Sequence, residues 1–137
     1  MRERWPGRLI LKGVLDAADA ELACRAAPDA IVVSNHGGRQ LDGAPSAISA
    51  LPRVVETVAG RCEVLVDGGI RSGTDILRAL ALGARGCLVG KAFLFALAAA
   101  GESGVETLLE LLKKELAAAL ALTGQTDVKR VARDVLR

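Results

Sequence analysis

Ala30-Ile31-Val32-Val33-Ser34-Asn35-His36-Gly37-Gly38-Arg39-Gln40-Leu41-Asp42 is the stretch whose reading settles how the rest of the chain is organised. It begins as a continuous apolar, β-branched run in the manner of a buried parallel strand. A polar, glycine-rich loop follows from Asn35 to Pro45 and holds the only histidine of 137 residues. Outward from it the chain alternates strand and helix. Upstream, Arg8 to Val14 is a short apolar run with a lysine near its end, and Asp16 caps a helix to about Ala27, with Asp19 as a weak box partner. Downstream, Ser46 starts a helix to about Ala59, Glu63 to Asp67 is a strand, and Gly68 to Gly73 turns the chain. Thr74 to Leu82 is helical and stops at Gly83; Gly86 to Val89 is the last strand. Lys91 to Ala100 and Val105 to Thr123 read as two helices separated by Gly101-Glu102-Ser103-Gly104, with a short tail helix from about Asp127.

Units of this kind imply an α/β fold with parallel pairing and right-handed crossovers. The polar and glycine-rich segments follow the C-terminal ends of the strands, which is the active face of a (β/α)8 barrel. Such a barrel needs eight strands and about 250 residues. Residues 1–137 therefore read as half of a barrel in one unit, with an open doubly wound sheet as the equal alternative on pattern alone.

Composition narrows the function classes. Hydrophobic residues make up 51% and charged residues 25%, as in an ordinary globular domain. A net charge of +2 gives little pull on nucleic acid or an anionic membrane, and one Trp, two Phe and no Tyr offer no base-stacking platform. Cys24, Cys62 and Cys87 form no CxxC pair, so reduced thiols are expected rather than a disulfide framework or a zinc site; no metal is expected. No leader-like start is visible, and the longest apolar run, Ala92 to Ala100, is too short to span a bilayer, which takes roughly 20 residues. Phe93, Leu94, Phe95 and Leu97 read as helix-face core, and Glu110 to Glu115 as a solvated face with local ion pairs.

Three constellations carry chemistry. An imidazole has a pKa of about 6.5 in water and accepts a proton near neutrality, while a guanidinium forks onto a carboxylate. His36 and Arg39, three residues apart among glycines, therefore suggest catalysis on an organic acid; the alternative is a surface loop with Arg39 paired to Asp42. Asp67-Gly68-Gly69-Ile70-Arg71-Ser72-Gly73 leaves a strand and opens a helix, where free N–H groups and the helix dipole favour phosphate. Gly90-Lys91 repeats that geometry, and the alternative for both is an ordinary glycine turn. Lys12, near the end of a buried strand, is costly unless paired or functional; the alternative is a snorkelling edge residue.

LKGV at Leu11 to Val14, SNHGGRQLD at Ser34 to Asp42, DGGIRSGTD at Asp67 to Asp75 and VGKAFLFALAAAGESGV at Val89 to Val105 resemble, in order, the FMN-dependent 2-hydroxy acid dehydrogenases and oxidases. The last segment is most similar to their bacterial L-lactate dehydrogenase branch. The resemblance implies the C-terminal half of a (β/α)8 TIM barrel, strands five to eight, FMN as cofactor, and oxidation of a small 2-hydroxy acid to a 2-keto acid. It implies His36 as the base, Arg39 on the substrate carboxylate, Lys12 at the flavin pyrimidine edge and Ser34 against the flavin. Asp67, Gly68, Gly69 and Arg71 would line the ribityl-phosphate side, and Gly90 and Lys91 would close the phosphate pocket. Lys91 stands where the family usually has arginine, and Phe95 where tyrosine is common.

In that family the first half of the barrel supplies further flavin contacts, a substrate-binding tyrosine and an aspartate that orients the histidine. Met1 to Gly7 reads as the end of a preceding helix and its loop, so a fragment, or a half awaiting a partner half or a second copy, is expected; relatives are often homo-oligomers. The alternative to an active enzyme is a half barrel that binds FMN phosphate and turns nothing over. A cytoplasmic setting is expected, with a peripheral place at the inner membrane in relatives that attach through a segment of the other half.

Overall fold

The computed structural model describes residues 2–136. Met1, the first residue of the expected incoming helix end, lies outside them, and Arg2–Arg4 is a single 3-10 turn. Four strands follow, β1 (Ile10–Val14), β2 (Ala30–Val33), β3 (Glu63–Asp67) and β4 (Gly86–Leu88). All pair in parallel, and their order across the sheet is their order along the chain. That order decides between the two architectures left open above. A doubly wound sheet reverses its strand order at a switch point; a barrel does not.

The helices α1 (Ala17–Arg25), α2 (Ala47–Val58), α3 (Gly73–Ala81) and α4 (Lys91–Leu122) each follow one strand. Ile31, Val33, Val64 and Val66 bury one sheet face beneath Leu51, Val54 and Val58 of α2 and Ala20 of α1. Alternation sends the intervening residues to the other face. Lys12, Val32 and Leu65 are in register there, and Ser34 and Asp67 continue the same face at the C-terminal ends of β2 and β3. The chemistry-bearing side chains thus share one end of one face because of strand register.

Local signals place the helix starts. Asp16 accepts the Ala18 N–H at the head of α1, and Ser46 accepts the Ser49 N–H at the head of α2. α3 begins one residue earlier than the sequence suggests, because Ser72 and Asp75 form a full capping box. Arg61 fastens the segment before β3 to α1 through Glu21, and this pairing holds the Glu21 carboxyl below its usual range.

α4 departs from the expected loop at residues 101–104. Helical structure resumes at once, and only Ala100 (φ −150°) and Gly101 (φ +59°) leave the helical region. The two arms pack so closely at this corner that a Cβ on Gly104 would stand 2.2 Å from the Ala96 carbonyl oxygen. By length and composition Lys91–Leu122 could cross a membrane. The break divides it into a short apolar arm and a longer one carrying Glu102, Glu106, Glu110, Lys113, Lys114 and Glu115. The short arm also corrects the reading of its apolar residues as core. Phe93, Leu94, Phe95 and Leu97 are 40%, 57%, 73% and 44% exposed, because this arm stands clear of the helix layer among the described residues. On the longer arm Glu110 pairs with Lys114 as expected, but Glu115 reaches away to α3. The expected tail helix is two 3-10 turns, Val128–Arg130 and Arg133–Leu136.

All three cysteines are free thiols. Burial, with a smaller contribution from Asp75, pushes the Cys87 thiol up to about 11 from 9.0. Its thiolate fraction near neutrality is then about 100-fold below that of an ordinary thiol. Alkylation of Cys87 in the folded chain is expected to be slower by about that factor than in urea, followed by mass spectrometry of the tryptic peptide. Equal rates in the two states would contradict the burial.

Candidate functional site

A cavity of about 640 Å³ opens at the C-terminal ends of the strands, and its walls come from Lys12 on β1 and from the connections after β2, β3 and β4. Lys12, Arg39, Arg71 and Lys91 line it against a single acid, Asp67. The site therefore favours an anion. His36, Gly68, Gly69 and Gly90 also stand on its wall. Of the ten residues singled out in the sequence, nine meet at this one place; Ser34 is the exception.

Ser34 is buried beneath the wall, 1% exposed. Its Oγ accepts hydrogen bonds from Lys12 Nζ at 2.9 Å and from the His36 N–H at 3.1 Å. In this structure Ser34 supports the site from beneath its wall. One hydroxyl fixes both the lysine head and the start of the histidine loop. Lys12 Nζ also lies 2.7 Å from Asp67 Oδ2. Lys12 is paired across β2 rather than snorkelling. Asp67 Oδ1 is buried with no hydrogen-bond partner among the described residues. An acceptor left unpaired at a cavity edge costs about 1–3 kcal/mol unless something donates to it.

The loop after β2 is built by Asn35, which the sequence reading passed over. Its Oδ1 accepts the Gly37 N–H at 3.1 Å and its Nδ2 donates to the Pro45 carbonyl at 3.3 Å. An Asn whose side chain bonds the backbone two residues on is a recognised turn-former, so the signal was available. His36 sits at φ +54°, a left-handed conformation that is uncommon outside glycine. Lys91 Nζ donates across the mouth to the Gly37 carbonyl at 3.3 Å. Arg39 is exposed and makes no hydrogen bond or ion pair among the described residues; Asp42 accepts from the Gly43 N–H instead. The alternative Arg39–Asp42 pair is not formed.

The two glycine bends differ in a way the sequence did not show. At the head of α3 the N–H groups are taken: those of Arg71 and Ser72 by Asp75 Oδ2, that of Asp75 by Ser72 Oγ, and that of Gly73 by Glu115 Oε2 at 2.8 Å. Free N–H groups at this bend are thus confined to Gly68, Gly69, Ile70 and Thr74, which donate to no acceptor among the described residues. At the head of α4, Gly90 supplies no side-chain cap. The first-turn N–H groups there, with Lys91 beside them, form the bare positive helix end. No group of three metal-ligating side chains occurs among the described residues.

Comparison with known proteins agrees with this layout. The sequence pattern of the FMN-dependent dehydrogenases matches residues 1–137. An L-lactate dehydrogenase of a Caulobacter species is 54% identical over 136 residues, covering 99% of this chain and 36% of that protein. One from Pseudomonas putida is 52% identical with the same coverage. Among solved structures, a mandelate oxidase variant with the monooxide FMN adduct superposes with a TM-score of 0.93 at 52% identity, over 96% of this chain and 42% of that one. A mandelate oxidase variant with (S)-mandelic acid gives the same score over 39% of its length. The chain thus spans little more than a third of the length of the curated relatives it matches. Its four parallel β–α units are those of a TIM-barrel segment. With the pattern matched from end to end and the strand order that such a barrel requires, the chain belongs to the FMN-dependent dehydrogenase family.

Proposed function

We propose that this chain is the part of an FMN-dependent 2-hydroxy acid dehydrogenase that grips FMN and carries the base, acting on an L-lactate-like substrate. The observation that supports it is the convergence of Lys12, His36, Arg39, Asp67, Arg71 and Lys91 on one cavity. The residues present fit the cofactor. A phosphate calls for cations and free N–H groups, which Arg71, Lys91 and the bare head of α4 offer. A ribityl chain brings hydroxyl donors, and Asp67 Oδ1 lacks one. Gly68, Gly69 and Gly90 keep backbone open to close approach.

Bound FMN would supply the two-electron acceptor. Lys12, held by Ser34 and Asp67, stands ready to balance negative charge there. His36 takes the substrate's proton, and Arg39 forks onto its carboxylate, which fixes the reacting carbon before the base. A cytoplasmic setting forms part of this reading.

Titration of the chain with FMN and with riboflavin, read by flavin fluorescence, tests the phosphate assignment. Arg71→Ala is expected to weaken FMN about 10-fold or more, the worth of a charge-assisted hydrogen bond, and to leave riboflavin unchanged. Equal loss for both ligands would sink the assignment.

A second reading, FMN binding without turnover until a partner half or a second copy completes the barrel, is favoured by the sheet itself. β1 and β4 each have one unpaired side within the described sheet, and Ile10 and Leu88 on them are 53% and 39% exposed. Assay of lactate, glycolate and mandelate with FMN separates the readings. Turnover by the chain at its monomeric elution volume excludes the second.

A further inference from the structure

Gly13 stands where β1 departs from regular pairing. Lys12 faces Val32 and Val14 faces Val33, so Gly13 is an extra residue against β2. Its φ is +102°, a region open to glycine and strained for any residue with a Cβ. A Cβ added there would lie 2.7 Å from His36 Nε2 and 3.3 Å from its Cε1. The imidazole therefore rests against the backbone of β1 in a space that exists because residue 13 has no side chain. The same irregularity comes directly after Lys12, whose Nζ reaches Ser34 and Asp67. Bulges beside functional sites commonly re-aim a neighbouring side chain.

We propose that Gly13 is a positioning residue for His36: the bulge at Gly13 forms the seat of the imidazole and fixes which way its Nε2 faces. This deepens the reading of His36 as the base and rests on it for its catalytic meaning, but the seat itself is a claim about geometry. His36 loops back from β2 through a left-handed turn, and among the described residues its main chain is held only at the N–H, by Ser34. The ring needs a second surface, and β1 provides it at residue 13.

His36 is the only histidine in the chain, so its imidazole gives a single, unambiguous set of NMR signals. The test compares the unaltered chain with Gly13→Ala, His36→Ala and the double variant. In Gly13→Ala the imidazole Cε1–H resonance is expected to move, because the added Cβ would press on the ring. Melting temperature should fall by about 3–6 °C more when Gly13→Ala is made beside the imidazole than when it is made in His36→Ala. An unmoved resonance, or the same loss of melting temperature in both backgrounds, would overturn the seat. If Gly13→Ala fails to fold, the double variant decides. Recovery of the fold without the ring supports the seat, and continued failure assigns the defect to backbone strain and overturns it. In FMN-loaded protein that turns over lactate, Gly13→Ala should lower kcat about 10-fold or more with little change in KM. Should His36→Ala leave turnover intact while the resonance in Gly13→Ala still moves, the base assignment fails and the seat stands.

Discussion

His36→Ala is expected to lower turnover of a 2-hydroxy acid by about 10²–10⁴-fold in FMN-loaded protein, the usual worth of a placed general base. The ring is exposed at the cavity mouth and belongs to a loop rather than the core, so the variant should fold and bind FMN as before. Steady-state kcat with lactate, beside an FMN titration, checks both halves. A companion change, Arg39→Ala, should act chiefly on KM, because a carboxylate clamp holds substrate and transition state alike. A His36→Ala protein that oxidises substrate at the original rate would show that the only imidazole of the chain is not the base.

Gly73→Ala is expected to cost about 3–5 kcal/mol of stability, since it is the glycine whose added Cβ would come nearest to another atom. The new Cβ would lie 2.0 Å from the Leu116 nitrogen and 2.4 Å from the Glu115 carbonyl carbon, both main-chain atoms that no rotamer change can move. Separating the helices to admit it also breaks the bond from the Gly73 N–H to Glu115 Oε2. Urea denaturation measures the loss. Glu115→Gln keeps an acceptor and should cost far less, so a similar loss in both variants would mean that the bond, not the close approach, holds α4 to α3.

The strands were legible because each is a short apolar run bounded by turn residues, and Glu63–Asp67 lies where it was expected. Their order across the sheet was not, since periodicity is the same in a barrel and in a doubly wound sheet; pairing decides it. At the site the charged residues were legible by type and position. What they touch was not. Ser34 was expected against the flavin, and nothing in the sequence signalled that Lys12 Nζ and the His36 N–H converge on its hydroxyl. The glycine bend at Gly68 to Gly73 looked open throughout, yet Asp75 inside the motif takes the N–H groups of Arg71 and Ser72, and Glu115, forty-two residues past Gly73, takes that of Gly73. Asn35 and Gly13 carried local signals, an Asx turn and a strand glycine, whose weight depends on neighbours distant in sequence. Phe93 to Leu97 misled because an apolar helix face implies a cover without saying that the cover lies among these residues.

The unbroken strand order has a consequence for how the chain is made. Each strand docks against the one synthesised just before it, so the sheet can extend by its newest edge as the polypeptide leaves the ribosome. No strand has to thread between two that have already met. The topology permits assembly in chain order, and the bond from the Gly73 N–H to Glu115 can close only once the chain has passed β4 and entered the far arm of α4.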